Sequence, residues 1–407
     1  MNPAIRTTVA LLVCAASGLL AACTFDMSGE RRAQSAAMAQ QKQDARVEDE
    51  LRRAVADASR FGPNDPRLAT SMNALAGFYA SHGRPDMAEP LYREALQIRQ
   101  RAYGANHPDV VTSLNNLAGL YALERRYADA ESMYRRALEI NERIAGADAA
   151  STGVILKNLA SLYISQQQYA EAAPLYRRLV AIREKTLGMA HPDLAMDLNN
   201  LGELYRLQGD YAQAEMLYRR AAGIRRDGVG DADPQLAIIL GNLGAIYVAQ
   251  GRYADAEPVY EQVVTIRQIA LGPDHPDLAA SLTDLAGIYA LRVKLAQAEP
   301  RYRRALEIRE RALGSQDLRV ATSLHTLAYF YANQGRLGEA EPLYQRALRI
   351  RERAVGMNSP VLAPTLTDYA ALLRAAGRDA EARAMEARIA SIRATPPPGG
   401  SAPGASR

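Results

Sequence analysis

Residues 108–149 read PDVVTSLNNLAGLYALERRYADAESMYRRALEINERIAGADA, and the same pattern recurs along most of this 407-residue chain. The repeat length is 42 residues, without one insertion or deletion, as a column of tyrosines shows. The column consists of Tyr79, Tyr121, Tyr163, Tyr205, Tyr247, Tyr289 and Tyr331. Leu373 occupies the eighth position. A fixed internal period of this length predicts a stack of similar repeats, each burying its apolar face against its neighbours.

Each repeat contains two apolar patterns with the spacing of an α-helix. In the quoted repeat, Leu117 and Tyr121 belong to the first pattern and Tyr134 belongs to the second. Because residues three or four apart share one face of a helix, these patterns predict two amphipathic helices. We place helix A at about 109–123 and helix B at about 128–144, and the other repeats follow by shifts of 42 residues.

Glycine and proline mark the ends and the beginnings of the predicted helices. The repeats close at Gly62, Gly104, Gly146, Gly188, Gly230, Gly272, Gly314 and Gly356. A proline follows four residues later at Pro66, Pro108, Pro192, Pro234, Pro276 and Pro360. Glycine tolerates the positive φ that ends a helix, and proline suits the first helical position because its missing N–H is not needed there. Gln167 and Val293 replace a second glycine of the other repeats, so we expect locally irregular turns there.

The charge and the motifs of the chain argue against a nucleic-acid-binding protein and against an enzyme. The 49 basic and 45 acidic side chains nearly cancel, at a net charge of +4, and the basic residues are spread along the chain. The sequence has no nucleophile elbow, no phosphate-binding glycine loop and no CxxC pair. We therefore expect no catalytic activity, no cofactor, no small-molecule substrate and no nucleic-acid partner.

Three histidines recur every 84 residues, at His107, His191 and His275. Regular spacing of this kind can indicate a metal site. Each of these histidines, however, precedes a proline at a predicted helix start, and the three lie in separate repeats. We therefore predict that they cap helices and that the chain has no metal site.

The repeat resembles the tetratricopeptide repeat in the positions of its small and large residues. The matching residues are Asn115-Asn116-Leu117-Ala118, Leu120-Tyr121, Tyr127, Ala130-Glu131, Tyr134 and Ala137-Leu138. The 42-residue length, the sequence Ala-Glu-Pro-Leu-Tyr at 340–344 and the His-Pro after the closing glycine are similar to the kinesin-light-chain type. The resemblance implies an all-α fold, a right-handed superhelical solenoid of antiparallel helix pairs, with about seven full repeats and a degenerate eighth.

The N-terminus has the features of a secretory signal. Arg6 precedes a short apolar run, Val9 to Leu20, and the run ends in Leu20-Ala21-Ala22-Cys23, which resembles the lipobox of bacterial lipoproteins. The resemblance implies that residues 1–22 are removed and that the thiol of Cys23 is acylated. Thr24 implies, by the enterobacterial sorting rule, the outer membrane facing the periplasm. A plain signal peptide or an uncleaved anchor is the alternative.

The remaining boundaries follow from the repeat pattern and from composition. Residues 23–45 lack a sustained apolar stripe, so we predict a flexible tether. Residues 46–62 match the second half of a repeat and are predicted to form an N-terminal capping helix. The solenoid then covers 63–393, and the Pro- and Gly-rich tail 394–407 is predicted to be disordered.

Two rows of polar residues on the A helices are the candidate binding site. Row one consists of Asn116, Asn158, Asn200, Asn242, Asp284, Thr326 and Asp368. Row two consists of Asn73, Asn115, Lys157, Asn199, Gly241, Thr283 and His325. The family resemblance implies that these rows line a concave groove, where carboxamides can bind the backbone of an extended peptide. The alternative is that the asparagines bond only within their own helices.

Two charged columns on the B helices have less specific interpretations. The glutamates Glu89, Glu131, Glu215, Glu257, Glu299 and Glu341 mostly stand four residues before an arginine, which predicts a solvated helix face. The second column is Arg99, Arg183, Arg225, Arg267, Arg309 and Arg351. We interpret it as a solvated face as well, with a partner or lipid-headgroup surface as the alternative.

The leading functional hypothesis is a lipid-anchored, non-enzymatic scaffold of the bacterial envelope. It would bind an extended peptide segment of a partner protein in the groove, and it would contact the membrane through Cys23. A second hypothesis is a structural component that assembles through its convex face, including Arg225 and Arg267. A third is an accessory subunit that regulates an envelope enzyme.

Overall fold

The computed structural model describes residues 27–394, and all regular structure in this range is helical. The predicted signal peptide, Cys23 and the tail from residue 395 lie outside the described residues. The described chain forms two compact halves, 27–229 and 230–394, and each half is considered by itself. None of the described helices is both long enough and apolar enough to cross a membrane.

The first half contains nine helices within its described residues. They are α1 (Met27–Ser59), α2 (Pro66–Ser81), α3 (Pro85–Tyr103), α4 (Pro108–Leu123), α5 (Tyr127–Ala145), α6 (Ala150–Ser165), α7 (Tyr169–Leu187), α8 (Pro192–Leu207) and α9 (Tyr211–Val229). After α1, even-numbered helices are the A helices and odd-numbered helices are the B helices. Within this half, each helix packs against the next one. The predicted helix pairs are therefore confirmed.

The second half continues the same alternation. Its helices are α10 (Pro234–Ala249), α11 (Tyr253–Leu271), α12 (Pro276–Leu291), α13 (Leu295–Leu313), α14 (Leu318–Ala332), α15 (Leu337–Val355), α16 (Ala363–Ala375) and α17 (Asp379–Ala394). A 3₁₀ turn, Pro360–Leu362, precedes α16. Consecutive helices again pack together, so the all-α repeat solenoid predicted from the 42-residue period is confirmed.

The starts of the A helices confirm the capping role of the periodic histidines. Nδ1 of His107 accepts a hydrogen bond from the backbone N–H of Asp109 at 3.1 Å. The same bond forms at His191, over 3.2 Å, and at His275, over 3.1 Å. A side-chain acceptor at this position satisfies one of the unpaired N–H groups of the first helical turn. Ala149, which precedes α6 at the equivalent position, provides no such cap.

The turns between A and B helices share one backbone conformation whether or not they contain glycine. Gly251 and Gly335 have φ values of +71° and +75°. Arg125, Gln167 and Val293, at equivalent positions, each have a φ of +60°. The turns at Gln167 and Val293 are therefore regular, and our expectation of irregularity was wrong. Arg125, Gln167 and Val293 adopt the same left-handed conformation as the glycines, although this conformation is unfavourable for a residue with a side chain.

Alanines let the helices of each repeat approach closely. In the first core cluster, Ala69 of α2 and Ala95 of α3 are fully buried. They pack with larger side chains, Leu68 and Ile98, and with Ala58 of α1. Burying a Leu or Ile side chain contributes roughly 1.5–3 kcal/mol, so each repeat junction is stabilised mainly by such contacts. The C-terminal half of α1 therefore covers the apolar face of the first helix pair.

Helix α1 is longer than the sequence pattern suggested. It begins at Met27, so residues 27–45, which we predicted to be a flexible tether, are helical. This segment is rich in Ala and Gln, and it contains no proline and only one glycine, Gly29. These two residues have high helix propensity, which our prediction from the missing apolar stripe did not take into account.

Candidate functional site

Within each half, the two polar rows lie on one side of the A helices, which we call the A-helix face. Asn115, Asn116, Asn158 and Asn200 are half-buried, and Lys157 is exposed. Asn242 and Asp284, in the second half, are also half-buried. Asn199 and His325 differ from the others because only 6% and 3% of their surface is exposed. The rows thus combine side chains that solvent reaches with side chains that pack between helices.

Row one bonds to row two of the preceding repeat. Nδ2 of Asn116 donates to Oδ1 of Asn73 at 3.3 Å, and Nδ2 of Asn158 donates to Oδ1 of Asn115 at 2.9 Å. Each pair is separated by 43 residues. Asn116 and Asn158 therefore connect neighbouring A helices, and for these two the alternative that they bond only within their own helices is wrong.

These bonds fix the orientation of the carboxamides and leave part of their bonding capacity. A carboxamide has two N–H donors and an oxygen with two lone pairs, so one bond uses a fraction of the available groups. Tyr176, a buried residue of the B helix α7, adds a hydroxyl group to this region. The hydroxyl of Tyr176 interacts with Ser161 and Asn200, while burial raises the pKa of Tyr176. The A-helix face is thus a pre-oriented array of hydrogen-bonding groups.

Asp284 is the exception in row one. Its Oδ1 atom is shielded from solvent and has no hydrogen-bond partner. Burial raises the pKa of Asp284 to about 7, although the positive charges of Arg267 and Arg309 oppose this shift. The negative charge of Asp284 in turn adds to the effect of burial in raising the pKa of Tyr302. The buried oxygen of this carboxyl group therefore lacks the hydrogen bond that the paired asparagines have.

The glutamate column is not a solvated face, as we had interpreted it, but a set of connections between repeats. The hydroxyl of Tyr121 donates to Oε1 of Glu89 at 3.1 Å, and Arg126 donates to Oε2 at 2.9 Å. Arg93 pairs with the same carboxylate from the next helical turn. Similar Tyr–Glu–Arg clusters form around Glu48, Glu131, Glu299 and Glu341. The missed signal was the spacing of 32 residues that Glu89–Tyr121, Glu131–Tyr163 and Glu299–Tyr331 share.

The arginine column is buried or half-buried, so its interpretation as a solvated, partner or lipid surface was wrong. Arg99 is 5% exposed, and its Nη1 donates to Oγ of Ser113 at 2.8 Å. Arg309 is 6% exposed and donates to Ser323 at 2.6 Å. Arg267 bonds Ser281 over the same separation of 14 residues. These three guanidinium groups each join a B helix to the next A helix.

The part of the chain that the structure describes contains no group of three or more His, Cys, Asp or Glu residues able to bind a metal ion. A shallow groove of about 410 Å³ lies between α1, α2 and α3. Its lining is largely apolar, with Leu75, Met87, Pro90 and Leu91 among its residues. The groove is separate from rows one and two.

Comparison with models of protein families identifies the family of the repeat. The model of the tetratricopeptide repeat matches residues 67–143, 149–227, 235–311 and 319–394. The chain belongs to the tetratricopeptide repeat family. Members of this family are generally non-enzymatic scaffolds for protein–protein interaction. The family resemblance seen in the sequence is thus confirmed.

Solved structures of similar proteins include kinesin-light-chain-like members. BtubC (BKLC) from P. vanneervenii is 28% identical, with a TM-score of 0.50, over 56% of this chain and 92% of that chain. The nearly identical TPR-like repeats of a protein described as a putative kinesin light chain, from Podosopora anserina, are 24% identical over 50% and 97% of the two chains, with a TM-score of 0.46. The apo quorum sensor NprR from B. thuringiensis is 14% identical, with a TM-score of 0.53 over 88% and 95%, and shares the fold. No curated protein matches the sequence.

Proposed function

We propose that this protein is a non-enzymatic scaffold that binds an extended segment of a partner protein on the A-helix face. The observation that carries this proposal is the ladder of half-buried carboxamides, Asn73–Asn116 and Asn115–Asn158, held across repeat junctions. An extended peptide backbone presents N–H and C=O groups in turn, and a carboxamide can pair with either. The ladder therefore suits backbone recognition that depends little on the partner's side chains.

The pre-oriented carboxamides also favour binding energetically. Immobilising a flexible side chain on association costs about 0.5–1.5 kcal/mol, and side chains already fixed by a bond avoid much of that cost. Row two changes from repeat to repeat, through Asn115, Lys157 and Asn199. Such variation along a constant backbone-binding row gives the surface a means of discriminating between partners.

We further propose that the mature chain begins at Cys23 and is held in the bacterial envelope by lipid on that residue, in the outer membrane facing the periplasm. The support is the sequence Leu20-Ala21-Ala22-Cys23 after an apolar run. Intact mass spectrometry of the membrane fraction should find a chain that starts at Cys23 and carries acyl groups. The Cys23→Ser variant should lose the acyl mass and leave the membrane. An unmodified chain in that fraction would contradict the proposal.

The binding proposal is tested by affinity capture from chemically cross-linked envelopes, with two charge reversals in one repeat. Lys157→Glu alters the exposed A-helix face, whereas Arg177→Glu makes the same change in charge on the exposed surface of α7. We expect the Lys157 variant to lose the captured partner and the Arg177 variant to retain it. Loss in both variants, or in neither, would argue against the A-helix face.

The double variant Asn116→Ala, Asn158→Ala examines the ladder itself. Because these asparagines also join neighbouring helices, their loss should lower the melting temperature, and helicity must be measured alongside capture. We expect reduced capture at a temperature where the variant remains fully helical. Recovery of only the protein itself, equally by wild type and variant, would favour a structural, self-assembling role instead.

A further inference from the structure

At one junction between repeats on the A-helix face, the row-two residue that should pair with row one is a glycine and has no side chain. At three junctions a residue of row one meets the row-two residue 43 positions earlier. Asn116 meets Asn73, Asn158 meets Asn115, and the Oδ2 atom of Asp368 lies 3.0 Å from Nε2 of His325. The same register pairs Asp284 with Gly241, which has no side chain.

The space beside Gly241 is open. A Cβ atom built on Gly241 would meet no atom within 4 Å, and its φ lies outside the left-handed range, so the glycine is not required by the backbone. The nearby guanidinium groups are already engaged, since Arg267 bonds Ser281 and Arg309 bonds Ser323. Oδ1 of Asp284 is left without a donor. The junction therefore combines a missing side chain with an unsatisfied acceptor.

We propose that Gly241 and Asp284 form a notch that receives a basic side chain, lysine or arginine, from the extended partner segment. This inference rests on the proposed function of the A-helix face. The other aspartate of row one, Asp368, is paired within the chain with a nitrogen base, His325. A donor from the partner would supply the equivalent group at Asp284, and a cationic donor makes the stronger bond to a carboxylate.

The electrostatics of the notch favour a cation over a neutral donor. Burial holds the pKa of Asp284 near neutrality despite Arg267 and Arg309, so the two arginines do not fully compensate the desolvated carboxylate. An added positive charge would stabilise the ionised form. A long aliphatic stem can lie along the bare backbone at Gly241 while its charged end reaches the carboxylate. An acidic residue of the partner would be repelled at the same position.

The test uses methylguanidinium as a stand-in for the arginine head group. The full chain, with ¹³C-labelled aspartate, is titrated while NMR follows the carboxyl carbon of Asp284. We expect a saturable shift in the millimolar range and a fall of about one unit in the pKa of Asp284. Gly241→Asn fills the notch and should abolish the shift. Gly338→Asn, at another open helical glycine, should leave it unchanged.

Three outcomes would overturn the notch. They are the absence of a saturable shift in wild type, an equal shift in Gly241→Asn, and an equal effect of the neutral probe N-methylacetamide. Thermal melting of Gly241→Asn confirms that the variant folds. Failure of the notch is distinguishable from failure of the proposed function, because capture that depends on Lys157 can persist when methylguanidinium does not bind. Conversely, if methylguanidinium binds but capture does not depend on Lys157, the cation site at Asp284 is supported and the proposed scaffold function is contradicted.

Discussion

The hydroxyl of Tyr331 donates a hydrogen bond to Oε1 of Glu299 at 3.0 Å, and the two residues belong to successive repeats. Arg336 donates to the other carboxylate oxygen at 2.6 Å, and Arg303 pairs with Oε1 at 2.8 Å. In a repeat array, stability depends on the interface between neighbours as well as on each repeat. This Tyr–Glu–Arg cluster is a polar part of that interface.

Replacing Tyr331 by phenylalanine should lower the free energy of unfolding by about 1 kcal/mol. The substitution keeps the buried ring and removes one hydroxyl bonded to a carboxylate, which is typically worth about 1 kcal/mol or slightly more. Urea denaturation followed by circular dichroism measures the change. Tyr205→Phe is the matched control, because the residue 32 positions before Tyr205 is Ala173. Equal losses in the two variants would contradict a contribution from the cluster.

The same clusters should make stability sensitive to acid. Hydrogen bonds from Arg336 lower the pKa of Glu299, and those from Arg378 lower the pKa of Glu341. A carboxyl group whose pKa is lower in the folded than in the unfolded state stabilises the fold above the unfolded value of about 4.5. That contribution is lost as the pH falls through the lower folded value.

Glu299→Gln therefore tests the acid sensitivity. Its melting temperature should lie furthest below wild type at neutral pH, and the difference should shrink as the pH falls below about 4.5. Thermal melts between about pH 3 and pH 7 measure this. Glu94→Gln, at an exposed position, should follow the wild-type curve throughout. A constant difference for Glu299→Gln across the whole range would exclude the ionised carboxylate as the cause.

The elements that could be predicted from the sequence are those fixed by neighbouring residues. Gly104 ends α3 with a φ of +80°, and His107 caps α4, because both effects act over a few residues of backbone. The 42-residue period extends these local rules to the whole array. Helix pairing then follows, since each amphipathic helix must bury its apolar face against the next.

The charged and polar columns were harder to interpret because their partners lie outside the pattern of a single helix. From the sequence we interpreted Arg99 as solvated, but in the structure it donates a hydrogen bond to Ser113 on the next helix. Glu89 looked like half of a surface ion pair, but its second partner, Tyr121, belongs to the following repeat. Fixed offsets of 14 and 32 residues would have revealed both partnerships.

Arg309 and Ser323 should behave as a coupled, buried pair. Arg309→Met should cost roughly 2–4 kcal/mol of unfolding free energy, because it removes a charge-assisted bond and leaves the Ser323 hydroxyl without a partner. Ser323→Ala alone should cost about 1–3 kcal/mol. In a double-mutant cycle the two losses should fall short of additivity by about 1 kcal/mol or more.

The matched control for this pair is Arg349→Met, at an exposed position on α15. It should change the free energy of unfolding by less than about 0.5 kcal/mol, as is usual for surface substitutions. Strict additivity of the Arg309 and Ser323 losses would contradict a direct interaction. A similar loss for Arg349 would show that the effect reflects the removal of charge in general.

Val293→Gly should increase stability, because Val293 occupies a backbone conformation that favours glycine. Its φ is +60°, whereas the equivalent turns use Gly251 at +71° and Gly335 at +75°. The left-handed conformation costs a residue with a side chain about 1–2 kcal/mol, and a β-branched residue is among the least suited to it. The side chain is 63% exposed, so little packing is lost on its removal. Glycine's greater freedom in the unfolded chain offsets about 0.5–1 kcal/mol of this gain.

The net effect of Val293→Gly is therefore a gain of about 0.5–1 kcal/mol, measured by urea denaturation. Gly335→Val imposes the reverse change on an equivalent turn and should destabilise the protein by a similar or larger amount. Both variants keep the helices on either side of the turn unchanged, so helicity at low temperature should match that of wild type. If Val293→Gly were neutral or destabilising while Gly335→Val remained harmful, the valine side chain would be making a compensating contact at the end of α12.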